Sequence, residues 1–269
     1  MSKLTPSERV EFSLWQYWIA RLVPMLYVTT LTISLPKILT QSWFVSELAA
    51  TQEQKLQKQL RSISIRVLAH GETIGSGVLL HRKHQVYTII TNTHTIQSAS
   101  APFQLQTHDG QVYAAALITP PTGHNRDLSI LRFQSRKRIY ATAKLAAANP
   151  KIGDRVWSSG FSLDPPSDSS KPAWAPNIVS GQITQILPIA VSGGYSIGSD
   201  YPIVKGMNGG PLVNRSGELV GINGIRANSL WDTPALLEDG SIVSDVLQQQ
   251  LNRANWAIPI EFIKDYAKL

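Results

Sequence analysis

Lys205-Gly206-Met207-Asn208-Gly209-Gly210-Pro211-Leu212-Val213-Asn214 is the stretch on which the fold turns. Glycines on both sides of a single polar residue let the backbone bend sharply and expose its N–H groups. The apolar run that follows can enter a strand. A bend of this kind suits a side chain that must be held up to a substrate. Two upstream segments bear on that reading. In the first, Gly75-Ser76-Gly77-Val78 is followed by Ile89-Ile90-Thr91-Asn92-Thr93-His94, where a β-branched run delivers a histidine. In the second, Asn125-Arg126-Asp127-Leu128-Ser129-Ile130-Leu131 sets an aspartate at the head of an apolar strand.

A lone histidine or a lone turn aspartate usually reads as structural. Together with the bend they supply most of what acyl transfer needs: an imidazole base, a carboxylate to orient it, and backbone donors for an oxyanion. Their order along the chain is His94, Asp127, then position 208, which is the chymotrypsin order. The three segments resemble the TAxH, DLALL and GxSGGP blocks of trypsin-like serine peptidases, and in particular a cysteine-free bacterial, cyanobacterial-looking branch. Gly221-Ile222-Asn223-Gly224 and Trp256-Ala257-Ile258-Pro259-Ile260 fit that branch too. The resemblance runs from about Ser62 to Leu269. It implies an all-β fold of two packed six-stranded antiparallel barrels with a C-terminal helix and the catalytic groups at the barrel junction. His94 and Asp127 would be catalytic, and the N–H groups of Gly206 and Asn208 would form the oxyanion hole. Ile222, Asn223 and Gly224 would line the substrate pocket.

The departure is at position 208, where the family pattern has serine and this chain has asparagine. An imidazole cannot deprotonate a carboxamide near neutral pH, so acylation should fail while the cleft persists. The expectation is a peptidase homologue without activity that keeps a binding site for a polypeptide segment or a protein partner. The alternative is an active serine endopeptidase in which residue 208 is a variant or an error. Ser76, on an early strand, and Ser216, in a hairpin turn, are poorly placed to substitute as nucleophiles. Met207 replaces the aspartate that pairs with a newly cut N-terminus in animal zymogens, so that activation switch is not expected.

The remaining sequence bounds the reading. Hydrophobic residues make up 43% and charged residues 16% of the 269, a globular composition. The net charge of +7 is scattered apart from Arg136-Lys137-Arg138, which reads as a solvated loop, so no nucleic-acid partner is implied. The chain has no cysteine, which excludes disulfides and thiolate chemistry. No cofactor or metal is expected: His81 and His84 could chelate, but they fall in a polar turn with no acidic neighbour. From Ser62 onward, period-two alternation (Ile63, Ile65 and Val67 against Ser64, Arg66 and Leu68) and frequent turns such as Asp109-Gly110 indicate short strands. Helices are expected at about 242–253 and from Pro259 to Lys268.

The N-terminus differs. Phe12 to Leu39 is strongly apolar, with an uncharged core from Leu22 to Leu35, so residues 1–40 read as an apolar helix serving as a signal peptide or a membrane anchor. Either would put the rest of the chain outside the cytoplasm. Residues 41–61 read as a helical stalk, 62–145 as the first barrel and 146–269 as the second.

Overall fold

Continuous buried runs shape the first strands. In a computed structural model, which describes residues 50–118, 126–164, 172, 175–228 and 234–267, Ile65 and Val67 of β1 (Ser64–Ala69) face a barrel interior. Arg66 between them stays outside, bonded to Thr73 and Gln106. β2 (Glu72–Lys83), β3 (Val86–Thr91), β4 (Phe103–Gln106), β5 (Val112–Ile118) and β6 (Ser129–Gln134) complete a closed barrel in the order β1-β2-β3-β6-β5-β4. Closure leaves no exposed sheet edge. Tyr87, Leu105, Leu131 and Phe133 fill the interior, with the Tyr87 and Phe133 rings stacked at 5.0 Å. Asp109-Gly110 forms the β4–β5 turn, with Gly110 at φ 81°.

The second barrel is a ring of β8 (Arg155–Gly160), β9 (Asn177–Val191), β10 (Tyr195–Ser199), β13 (Asn255–Pro259), β12 (Glu218–Ile225) and β11 (Pro211–Val213), closed by the β11–β8 and β11–β12 pairings. β7 (Lys144–Leu145) runs parallel to β12. Val156, Ile183, Met207, Leu212 and Ala257 pack inside the ring. The all-β fold of two six-stranded barrels is therefore the architecture of the domain.

A third core lies between the barrels. Val78, Leu80, Ile90 and Ile130 of the first meet Trp157, Tyr195, Val213 and Ile222 of the second. Three helices also contribute to it: α1 (residues 50–63), α3 (Asp245–Leu251) and α4 (Ile260–Tyr266). The stalk expectation is corrected over residues 55–61. Leu56, Leu60 and Ile63, at helical spacing, are all buried in this core, and Gln59 donates to the Gly217 carbonyl, so this turn of helix is part of the domain. Lys55–Leu269 forms one compact unit; of the other, Met1–Gln54, residues 50–54 are described and are helical. The apolar stretch from Phe12 to Leu39 lies outside the described residues, among which no helix is long and apolar enough to cross a membrane.

Candidate active site

The imidazole side of the site is built at the end of β3. Asn92 leaves the strand in an extended conformation and caps a one-turn helix, α2 (Thr93–Gln97), which carries His94. The histidine thus sits just past the strand, on a helical turn. The loop before β6 is tied to that turn by backbone and side-chain bonds. Thr93 N–H donates to the Asp127 carbonyl at 3.3 Å, and Asn92 Nδ2 donates to the same oxygen at 3.0 Å. The Asp127 carboxylate is then fixed by three donors. His94 backbone N–H reaches Oδ1 at 2.8 Å, His94 Nδ1 reaches Oδ2 at 2.5 Å, and the Tyr195 hydroxyl donates to Oδ2. Tyr195 comes from the second barrel, as does the Gly193 carbonyl that receives the Asp127 N–H at 3.0 Å. The carboxylate is therefore positioned by both barrels.

The opposite side is the bend at 206–210. Gly206 has φ 100° and Gly209 φ 84°, both in the left-handed region that side chains resist. Space is short as well: a Cβ on Gly206 would meet the Phe161 carbonyl, and one on Gly209 the Ser76 carbonyl and the Thr91 hydroxyl. Ser76, fully buried on β2, clamps the bend. Its hydroxyl donates to the Gly206 carbonyl at 2.7 Å and accepts from Phe161 N–H at 2.8 Å, and its N–H donates to the Asn208 carbonyl at 2.9 Å. Met207 points into the second barrel core with no exposure, which suits its apolar side chain.

The bend presents Asn208 to the imidazole, with Nδ2 3.1 Å from His94 Nε2. The tautomer follows from the partners. Nδ1 carries the proton that it gives to Asp127, so Nε2 is an acceptor and the carboxamide must turn its NH₂ toward it. The N–H groups of Gly206 and Asn208 have no acceptor among the described residues, so two donors remain available at the bend.

The structure brings His94, Asp127, Asn208 and Gly206 together. It does not bring Ile222, Asn223 and Gly224 to the cavity. All three are buried, and one of them, Asn223, holds the bend. Asn223 pairs with it through Gly209 N–H (2.8 Å) and the Gly210 carbonyl (3.0 Å), and its side chain is spent on the Tyr201 and Ser158 hydroxyls. Gly224 leaves room for the Tyr195 ring, which a Cβ there would strike. The cavity beside Asn208, about 390 Å³, is lined instead by Ile74, Leu163, Val204, Lys205 and Arg226 together with His94 and Gly206.

Sequence reasoning missed Tyr195 and the clamping role of Ser76. The glycines flanking Ser76 are a signal for the latter: Gly75 and Gly77 leave no room for a Cβ against Thr95 and Ile89. The His81/His84 pair is split, with His84 exposed at φ 57° and His81 Nε2 buried. Burial, then the charges of Arg132 and Lys83, hold the His81 pKa below its ordinary value.

Two closed barrels with an imidazole–carboxylate pair facing a glycine bend across their junction define the double-barrel peptidase class. The trypsin-like peptidase domain matches residues 75–222, just over half of the chain, and the chain belongs to that family. It is 29% identical over 157 residues to the serine protease Do-like HtrA of Bacillus subtilis, covering 56% of this chain and 33% of that protein. It is 29% identical over 154 residues to the periplasmic pH-dependent serine endoprotease DegQ of Escherichia coli, covering 56% and 31%. It is 26% identical over 192 residues to the serine endoprotease DegS of Haemophilus influenzae, covering 71% and 48%. The matched region is thus a third to a half of these relatives' length.

Proposed function

We propose that this protein is a trypsin-like peptidase homologue that binds a polypeptide segment in its cleft and does not cleave it. The observation that carries the reading is the carboxamide of Asn208, 3.1 Å from the ring nitrogen that would otherwise take a nucleophile's proton. A serine hydroxyl there would donate to Nε2 and attack as its proton left. An amide N–H gives up no proton to imidazole, and its nitrogen lone pair is delocalised into the carbonyl. Loss of the nucleophile from such a triad lowers the rate by on the order of a millionfold, about 8 kcal/mol of transition-state stabilisation. The rest of the apparatus does not depend on that side chain. His94 and Asp127 would be the base and its orienting carboxylate, and the N–H groups of Gly206 and Asn208 the oxyanion donors. In this chain those donors serve to hold a peptide carbonyl. A site outside the cytoplasm is supported by the apolar stretch from Phe12 to Leu39, fit for a signal or an anchor, and by relatives named as periplasmic.

The test is a fluorophosphonate probe applied to the natural protein and to Asn208→Ser. The natural protein should remain unlabelled and leave unfolded casein intact. The variant should label at position 208, because the imidazole and carboxylate are already in place. Labelling or casein turnover by the natural protein would overturn the reading.

A further inference from the structure

The cavity beside Asn208 has a charge character that the peptidase architecture does not require. Two of its lining residues are cations: Lys205, exposed just before the glycine bend, and Arg226, half-buried just after β12. Neither side chain has an anionic partner among the described residues. No acidic residue lines the cavity among the described residues. The carboxylate of the site, Asp127, has 17% of its side chain exposed and is already bonded to His94 and Tyr195. The same cavity holds Gly206 and Asn208, whose backbone N–H groups are unspent, and the Asn208 carboxamide. The remaining lining mixes the apolar Ile74, Leu163 and Val204 with the hydroxyl residues Thr95 and Ser98. A recess of mixed lining with two cations outside any ion pair and two free backbone donors is suited to an anion carried on a peptide.

We propose that the cleft selects polypeptides that present a carboxylate beside Asn208, either a chain's own C-terminus or an acidic side chain. Lys205 and Arg226 are then specificity-determining residues. This rests on the reading of the cleft as a peptide-binding site. Carboxylate recognition also suits a site without a nucleophile. A free C-terminus has the form that a cleaved chain takes on leaving such a cleft, and with no acylation step it can stay bound. The guanidinium of Arg226 offers a planar fork that matches a carboxylate, whereas Lys205 contributes a mobile point charge.

The experiment measures fluorescence anisotropy of labelled heptapeptides against the full chain. Each peptide has an apolar sequence and is prepared in four forms: free C-terminus, amidated C-terminus, and amidated with a central Glu or a central Gln. Carboxylate forms should bind about tenfold more tightly than their neutral counterparts, the scale of two partly exposed charge-assisted contacts. The free-against-amidated comparison and the Glu-against-Gln comparison identify which source of carboxylate is preferred. The preference should shrink as salt is raised and disappear in Lys205→Met/Arg226→Met, which breaks no ion pair among the described residues and should keep the natural unfolding midpoint. Equal binding of all four forms would overturn the carboxylate proposal and leave peptide binding standing, as would a preference that survives in the double variant. If no form binds at all, the peptide-binding reading falls, and the carboxylate proposal with it.

Discussion

On the first-barrel side of the cleft, side chains carry the geometry. Asp127 accepts from the His94 backbone, the His94 ring and the Tyr195 hydroxyl, and the tautomer of the ring follows from that pairing. On the second-barrel side, the backbone carries it. Gly206 and Gly209 take left-handed dihedrals, Gly209 and Gly210 pair with Asn223, and Ser76 fastens the carbonyls of Gly206 and Asn208. The Asn208 side chain takes no part in holding its own loop. A bend fixed by its backbone tolerates a change of the residue at its tip, whereas a pair fixed by side chains does not. This is the physical reason the site can be almost complete in form and still lack the group that attacks.

The sharpest way to break that contrast is to attack the backbone side. Gly209→Ala would place a Cβ against the Ser76 carbonyl and the Thr91 hydroxyl at φ 84°. It should cost about 3 kcal/mol or more, enough to threaten folding, because strain and clash add. Gly240→Ala is the matched control, at φ 85° with open space around it, and should cost only about 1 kcal/mol. Urea midpoints measure both; equal losses would show that the bend is not tightly packed against β2. Next in size is Ser76→Ala, which strands the buried Gly206 carbonyl and Phe161 N–H together. A loss of about 2–4 kcal/mol is expected from two unsatisfied groups. In the Asn208→Ser background the same change should also slow fluorophosphonate labelling, because the oxyanion donors ride on the clamped bend. A stability loss with an unchanged labelling rate would confine Ser76 to a packing role.

The legible parts of this protein were those whose chemistry is local. The inward-facing Ile65 and Val67, with Arg66 between them, show in the sequence because each strand residue reports its own face. The glycines around Asn208 show because the bend needs them at fixed offsets. What stayed hidden depends on distant partners. Residues 41–61 read as a stalk, yet Leu56 and Leu60, with Ile63 just beyond, form one buried stripe that is visible only once the partner surface between the barrels is known. The helix expected at about 242–253 is Asp245–Leu251, because Ser244 accepts from Leu247 N–H and caps it there, and Ile242 remains 81% exposed before it. Ile222, Asn223 and Gly224 suggested a pocket wall by position; β12 is buried on both faces from Leu219 to Ile225, which encloses them, and this stretch of chain reaches the cavity at Arg226. Tyr195 has no motif at all, since its role is set by the approach of a second barrel to Asp127.

Tyr195→Phe makes the smallest change and tests the side-chain half of the contrast. The ring remains to fill the space that Gly224 leaves for it, and only the hydroxyl is lost. The Asp127 carboxylate then keeps both His94 donors but loses its donor from the second barrel, while the Asp127 N–H stays on the Gly193 carbonyl and Asn92 Nδ2 keeps its bond to the Asp127 carbonyl. A loss of about 1–2 kcal/mol is expected for one hydrogen bond to a charged group. The functional effect should be separable from that loss. In the Asn208→Ser background, a carboxylate held only from the first barrel orients the imidazole less strictly, so labelling should slow by about three- to tenfold at temperatures where both variants are fully folded. If the two label at the same rate, His94 is positioned by Asp127 and its own helical turn alone, and the second barrel contributes only the bend.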